Sequence, residues 1–556
     1  MQKTAKTLII LYFLIVILKI ITATQVTSPS IFADEYVYSK MARSFSTNLD
    51  FSIHNIPTNT YPPLYPLVIS LGYLVSSNML TIFLIIKIIN IIISSLIIIP
   101  AFLLSKELLD TNKSIIATTL IAIHTTFFNF SNYIMAENLY YPLFLTAIYF
   151  LYKSLKNNTI KNNILLGLFT GLTILTKVIG LVLIPIIGLI FLNSLYKKEF
   201  TQIKTKIIAG IIGLITISPW VIRNKIIHGS TSLIGNYSNS NLIVTKLSLF
   251  QNIFIFSNWF IMYLCLIILS SGVILFILNF NNMKERLKDD FFIISMVTMV
   301  AVLAMVSYNN IAGIPKQITL ISWFTGRPIG RYIEVIIPLI IIGGIIGLTK
   351  LKQIKNPLYY LIPIFIIGSQ LTFFQLFAVN NTSLTPIGIT KYIIELILFN
   401  KTSIEQVYNI TTFLIMLGIF ILIPVIIYKL MKSVNKKTLI TIITIFFVLN
   451  SVLGAATIIY NAKTNWYPND QIKVGIWVNN NLKDTIQVNI DKKYCGPSIK
   501  ENLCNTKNGP SLIGFFINKN IKVSDKPDGY YITLDILGEE LIHKENNIKI
   551  YKINNA

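Results

Sequence analysis

The segment Ile31-Phe32-Ala33-Asp34-Glu35-Tyr36 sets two carboxylates side by side, with Lys40 and Arg43 shortly after and His54 further on. A carboxylate held near a hydroxyl can take its proton as a bond forms. An arginine presents a planar fork of donors that fits phosphate oxygens. If 35–43 is helical, Glu35 and Ser39 share one face, as do Ser39 and Arg43. An isolated Asp-Glu pair is ordinarily solvated surface. What sets this pair apart is its setting: it follows an apolar run closely and precedes Tyr61-Pro62-Pro63-Leu64-Tyr65-Pro66. A further acid, Glu137, stands at the start of another apolar run, and Lys177, Arg223, Arg327 and Arg331 stand at the ends of later ones.

The elements that must position these residues are membrane helices. Of 556 residues, 54% are hydrophobic and only 13% charged, with a mean hydropathy of +0.67. A soluble domain carries about 25% charged residues to cover its surface. The apolar residues fall in runs matching the roughly 20 residues needed to cross hydrocarbon: 5–23, 79–105, 114–129, 136–153, 163–177, 179–195, 207–222, 253–279, 291–307, 332–349, 358–379, 407–429 and 438–460. That predicts about thirteen crossings. The net charge of +24 would suggest nucleic acid on a soluble chain. Here the lysines sit in short loops and set orientation instead, so no nucleic-acid partner is expected.

With the N-terminus inside, alternate loops hold the base-rich clusters Lys106/Lys113, Lys153/Lys156/Lys161, Lys197/Lys198/Lys204/Lys206, Lys284/Arg286/Lys288, Lys350/Lys352/Lys355 and Lys429/Lys432/Lys436/Lys437. This is the positive-inside pattern. It makes the chain a multi-pass protein of the cell membrane with a cytoplasmic N-terminus and residues 461–556 outside. The first run, behind Lys3 and Lys6, reads as an uncleaved helix, with a cleaved signal peptide as the alternative. Pro62–Ser76 is apolar but short and opens on prolines. It reads as a helix lying at the outer interface, since a crossing there would invert every later loop.

Two regions follow: 1–460, a membrane domain whose first outer loop, 24–78, carries the acids, and 461–556, a small extracytoplasmic α/β domain. In the latter, Ile472–Leu482 and Ser511–Ile517 read as helices and Thr485–Asp491, Asn520–Ser524, Tyr530–Leu537 and Ile548–Ile553 as strands. Cys495 and Cys504 are close enough in sequence to close one disulfide loop in an oxidising compartment, whereas Cys265, in an apolar run, reads as inert packing.

The order of these short motifs resembles the GT-C superfamily of glycosyltransferases, most closely the protein O-mannosyltransferases and the lipid A aminoarabinose transferases. Asp34-Glu35-Tyr36 and Pro62-Pro63-Leu64 match two elements of that family's first outer loop. Met135-Ala136-Glu137-Asn138, Gly171 to Thr176-Lys177, Pro219-Trp220-Val221-Ile222-Arg223-Asn224, and Gly330-Arg331-Tyr332 with Pro338 resemble later ones. The match covers most of residues 1–350. It implies an all-α polytopic GT-C fold. It also implies transfer of a hexosyl or pentosyl group from a polyprenyl-phosphate donor, dolichyl or undecaprenyl, to a glycan, lipid or protein acceptor at the outer membrane surface, with inversion. By the motif match Asp34 is the candidate base, with Glu35 and Glu137 orienting it or a substrate hydroxyl. Carboxylates gathered there would raise one pKa, which suits a base. Arg43, Lys177, Arg223, Arg327 and Arg331 are the candidates for the phosphate, the Arg327/Arg331 pair foremost. Some relatives carry a lysine where this chain has Tyr61, so Tyr61 is a candidate substrate contact, and either the phosphate is held by other cations or the donor differs.

No Asp-x-Asp motif appears in the outer loops, so neither a metal nor another cofactor is expected. Asn465-Trp466-Tyr467-Pro468 is not the Trp-Trp-Asp-type element of oligosaccharyltransferases, which disfavours whole-glycan transfer to asparagine. A flippase for lipid-linked glycans is the alternative, although two related halves, usual in transporters, are not seen. A membrane scaffold, with incidental acids, is the third.

Overall fold

The computed structural model describes residues 2–30, 33–234, 248–280, 283–312, 328–349, 361–373, 386–399, 410–483, 486–495 and 511–553. Every apolar run of the sequence falls on helix where it is described. The first helix, Gln2–Ala23, buries only Ile15, Lys19 and Ala23, while Ile9, Ile10, Phe13, Leu14, Ile17 and Ile21 stand exposed. A helix apolar on nearly every side is at home in hydrocarbon, not in water. Its two anchors are polar: Lys19 donates to Ser94 at 2.8 Å, and Lys87 donates to the carbonyls of Ala23 and Val26.

Among the described residues nine helices are long and apolar enough to cross a membrane, or ten if Thr111–Ile123 and Thr125–Asn132, bent by 57°, form one span. About thirteen crossings were expected from hydropathy. The difference lies in Ile160–Thr176 and Leu361–Leu371, which are helical but short. It lies also in Glu137–Lys156, which mixes Glu, Asn, Lys and several Tyr with its apolar residues.

The bundle packs through small residues. A Cβ on Gly347 would lie 1.9 Å from the Leu278 carbonyl oxygen, and one on Gly167 would lie 2.2 Å from that of Ala209. In hydrocarbon, where apolar contact alone does not drive helices together, such backbone approach is what holds them. Gly347→Ala is therefore expected to destabilise by about 1–3 kcal/mol. Gly188→Ala, where nothing lies within 4 Å, is expected to be neutral. Melting midpoints in detergent compare the two, and equal midpoints would contradict this packing.

Outside the spans, Ala33–Asn48 forms a helix. A two-strand hairpin follows, β1 (Ser52–Ile53) and β2 (Ile56–Pro57), whose turn residues His54 and Asn55 have φ of 51° and 64°. Positive φ at both turn positions matches the right-handed strand twist. Leu64–Ile69 and Leu71–Val75 then form two short helices. Tyr65 and Ile69 are buried while Leu67, Leu71, Leu74 and Val75 are exposed, so one apolar face is left outward.

The C-terminal region is a five-stranded mixed sheet of β3 (Gln487–Asp491), β4 (Asn520–Ser524), β5 (Tyr530–Thr533), β6 (Glu540–Glu545) and β7 (Ile548–Lys552), in the order β4-β3-β5-β7-β6. β3 runs parallel to β4 and β5, and β7 antiparallel to β5 and β6. Val488, Ile490, Ile532 and Ile550 pack with Val474 and Val478 of helix Asp470–Asn481 and with Ile513 and Ile517. β6 was not anticipated. It is an edge strand with little buried apolar pattern, held by His543 stacked on Trp477 at 4.2 Å and by Glu545 3.1 Å from Lys473. The strand expected over Tyr530–Leu537 ends at Thr533. The expected pairing of Cys495 with Cys504 cannot be followed, because Cys504 lies outside the described residues.

Candidate active site

Asp34 lies in the first turn of helix Ala33–Asn48. Its Oδ1 accepts from the Tyr61 hydroxyl at 2.6 Å and its Oδ2 from Arg331 Nη2 at 2.8 Å. Tyr61 is carried by the segment leading into Pro62-Pro63-Leu64 and stacks on Tyr38 with ring centroids 4.7 Å apart. Arg331 comes from the start of the span Gly330–Thr349. Its Nε lies 3.2 Å from Glu137 Oε1, and that same oxygen accepts from Lys177. Glu137 is the first residue of its helix and Lys177 caps the end of Ile160–Thr176. Four elements far apart in sequence thus deliver alternating charges: Asp34, Arg331, Glu137, Lys177.

Burial of the side chains along this chain is deepest at Glu137: 18% exposed for Asp34, 5% for Arg331, 0% for Glu137 and 10% for Lys177. Glu137 is therefore a buried counter-ion joining two cations, and Asp34 is the acid that reaches open space. That space is a cavity of about 220 Å³ lined by Asp34, Tyr38, Tyr61, Lys177, Arg331 and Tyr332, with Val178, Ile179, Met305 and Val306 among its apolar lining. Asp34 is the one carboxylate among its described lining residues. The Tyr332 ring underlies both cations, 4.3 Å from Lys177 Nζ and 5.4 Å from the Arg331 guanidinium.

The remaining candidates lie elsewhere. Glu35, fully buried, turns away from the cavity: Ser30 Oγ donates to its Oε2 at 2.5 Å and the Ile134 backbone N–H to its Oε1 at 2.9 Å. It fastens two loops and does not orient Asp34. The reason is the helix itself, since adjacent residues point about 100° apart. Arg223 does not reach the cavity either. Its guanidinium donates to the carbonyls of Phe51 and Thr58 at 3.0 and 3.1 Å and stacks on Trp220, pinning the β1–β2 hairpin. Arg43 donates to Asn518, and Arg327 falls outside the described residues. His54 bonds Tyr36 at 2.5 Å and serves the hairpin turn. Tyr38 and Tyr332 were missed. Tyr38 stands four residues after Asp34, one helical turn on, which was the available signal.

Burial pushes the Glu35 carboxyl up to about 7, against the pull of its two donors, with Asp34 adding to the rise. The folded state then binds this proton where the unfolded chain, at 4.5, has released it. Glu35 therefore favours folding below about pH 4.5, and that contribution, on the order of 3 kcal/mol, is lost as pH rises toward 7. Glu35→Gln, which keeps the Ile134 contact, is expected to gain stability relative to wild type between pH 5 and pH 8. A difference in melting midpoint that stays constant over that range would refute this.

In comparisons with known proteins, residues 60–222 match the family model described as dolichyl-phosphate-mannose-protein mannosyltransferase. The structure of ArnT from Cupriavidus metallidurans bound to undecaprenyl phosphate is similar, with a TM-score of 0.54 at 11% identity over 93% of this chain and 85% of that one. Its apo form gives a TM-score of 0.53 at 11% identity, covering 93% and 86%. No curated protein sequence matches the chain. The fold defines the class: the chain has the fold of ArnT, that of the GT-C membrane glycosyltransferases, and nine or ten of its described helices are long and apolar enough to cross a membrane. The matched family model spans Tyr61, Glu137 and Lys177, three of the polar residues that meet at or behind the cavity wall.

Proposed function

We propose that the protein is an inverting glycosyltransferase. It takes one sugar, hexosyl or pentosyl, from a polyprenyl-phosphate carrier and passes it to a glycan, lipid or protein hydroxyl on the extracytoplasmic side. The observation that carries this reading is the placement of Asp34 in the cavity, held on one oxygen by Tyr61 and on the other by Arg331. A carboxylate so fixed has no freedom to turn away from an incoming hydroxyl.

In the reaction the acceptor hydroxyl gives its proton to Asp34. Its oxygen forms a bond to the anomeric carbon as the bond from that carbon to the phosphate oxygen breaks. The electron pair leaves on the phosphate, and the configuration inverts. Charge builds on the leaving phosphate, and Lys177 and Arg331 stand at the same cavity wall to meet it. Their ion pairs with Glu137 and Asp34 hold both cations in place before substrate arrives. The apolar lining residues Val178, Ile179, Met305 and Val306 suit the first isoprene units of the carrier. The base-rich loops support an outer location for this cavity and for residues 461–556. Residues 1–460 would then be the catalytic membrane domain.

The test is direct. Purified protein in lipid nanodiscs is given undecaprenyl- and dolichyl-phosphate carrying labelled hexoses or pentoses, with cell-envelope extract as acceptor source. Appearance of label in an acceptor together with free polyprenyl phosphate is expected. Movement of the intact carrier across liposomes without cleavage would replace this reading with a flippase.

A further inference from the structure

The helix that carries Asp34 is gripped further along by the C-terminal sheet region. Tyr36, Lys40 and Arg43 recur at i, i+4 and i+7 and so form one stripe of Ala33–Asn48. Lys40, a buried residue, donates to the Ile517 carbonyl at 2.6 Å. Arg43 Nε donates to Asn518 Oδ1 at 2.9 Å, and its Nη1 and Nη2 lie 3.4 and 3.5 Å from Asn520 Oδ1. A Cβ on Gly514 would lie 2.8 Å from the Tyr36 hydroxyl, so the 511–515 helix rests on that ring with no room between. The same C-terminal segment is tied to the membrane bundle. Asn518 Nδ2 donates to the Ser77 carbonyl at 2.9 Å, and Phe515 and Phe516 meet Phe83 edge-on at 5.7 and 6.1 Å.

None of these C-terminal residues lines the cavity. They act on Asp34 only through the helix. We propose that the C-terminal sheet region is a positioning element for Asp34, with Lys40 and Arg43 as the positioning residues, an inference that rests on Asp34 being the base.

The magnitudes make this mechanical link effective. From Arg43 back to Asp34 the helix runs about 14 Å. A tilt of about 4° over that length moves the carboxylate by about 1 Å, a misplacement able to cost about 10²-fold in rate. The stripe is also costly to release. Lys40 is buried with a carbonyl and the Tyr36 ring, 5.3 Å away, as its partners, and losing the docked face would leave that ammonium without them.

The experiment uses the full-length protein in nanodiscs. Wild type, Arg43→Ala, Arg43→Lys and Lys40→Met are compared by hydrogen–deuterium exchange over 33–48 and by transfer kinetics with the labelled polyprenyl-phosphate sugar. Arg43→Ala is expected to speed exchange over 33–48 by about fivefold or more. It is expected to lower kcat by about 10- to 100-fold, with the donor KM within about twofold. Arg43→Lys, able to reach Asn518, should recover most of kcat, and Lys40→Met should follow Arg43→Ala. Faster exchange with wild-type kcat would mean that the contact merely holds the fold together and would overturn the proposal. Lowered kcat with unchanged exchange would overturn it equally. Should wild type turn over no donor at all, the glycosyl-transfer reading fails by itself. Unchanged exchange in Arg43→Ala would then separately dismiss the clamp.

Discussion

Asp34→Asn is expected to lower the rate of sugar transfer by about 10²- to 10⁴-fold, with the donor KM within a few-fold of wild type. The amide has nearly the shape of the carboxylate, and its oxygen can still accept from Tyr61. On the proposed mechanism, what is lost is the ability to take a proton from the acceptor hydroxyl. The amide nitrogen would also face Arg331 Nη2, donor against donor, at the position where the two groups now stand 2.8 Å apart. That repulsion makes a control necessary, because a disordered Arg331 would raise the donor KM as well. Tyr61→Phe supplies it. Removing one hydroxyl from Asp34 while leaving the stack on Tyr38 should cost about tenfold or less, mostly in kcat. Wild-type transfer by Asp34→Asn would rule Asp34 out as the base.

The second large effect is on stability. Glu137 has a fully buried side chain and meets both Lys177 and Arg331. Glu137→Ala would leave Lys177, only 10% exposed, without its carboxylate, a loss of about 3–5 kcal/mol for a buried pair broken on one side. Arg331 would keep Asp34, so Lys177 is the residue chiefly stranded. Removing both partners, as in Glu137→Ala with Lys177→Met, should therefore cost less than the two single changes added together. Unfolding of the protein in detergent measures all three variants. Strict additivity would show that the Glu137–Lys177 contact contributes nothing to folding.

Much of the frame is legible in the order of the residues. Runs such as Leu80–Leu104 can only be helix in hydrocarbon, because a strand or loop would leave its backbone polar groups unpaired there. In the C-terminal region, Asn520–Ser524 alternates buried and exposed residues and forms a strand with the ends expected of it. Glu540–Glu545 has no such alternation, and its strand is invisible to a periodicity argument. Asp34 and Arg331 were both candidates, and the fold brings them together from 297 positions apart.

The division follows from the physics. Local composition on its own settles which segments are apolar enough for a bilayer, which loops are basic, and which few polar residues stand at span ends. It could not determine partners. Glu35 and Asp34 are neighbours with the same chemistry, yet one fastens Ser30 to Ile134 and the other opens on the cavity, because successive helix positions face different surroundings. Arg43, Arg223 and Arg331 read alike as outer cations. Only packing directs the first to Asn518, the second to the Phe51 and Thr58 carbonyls, and the third to Asp34 and Glu137. The apolar faces that meet in a membrane are nearly interchangeable, so the pairing of helices, and with it the site, was decided by close glycine contacts and buried ion pairs that no periodicity records.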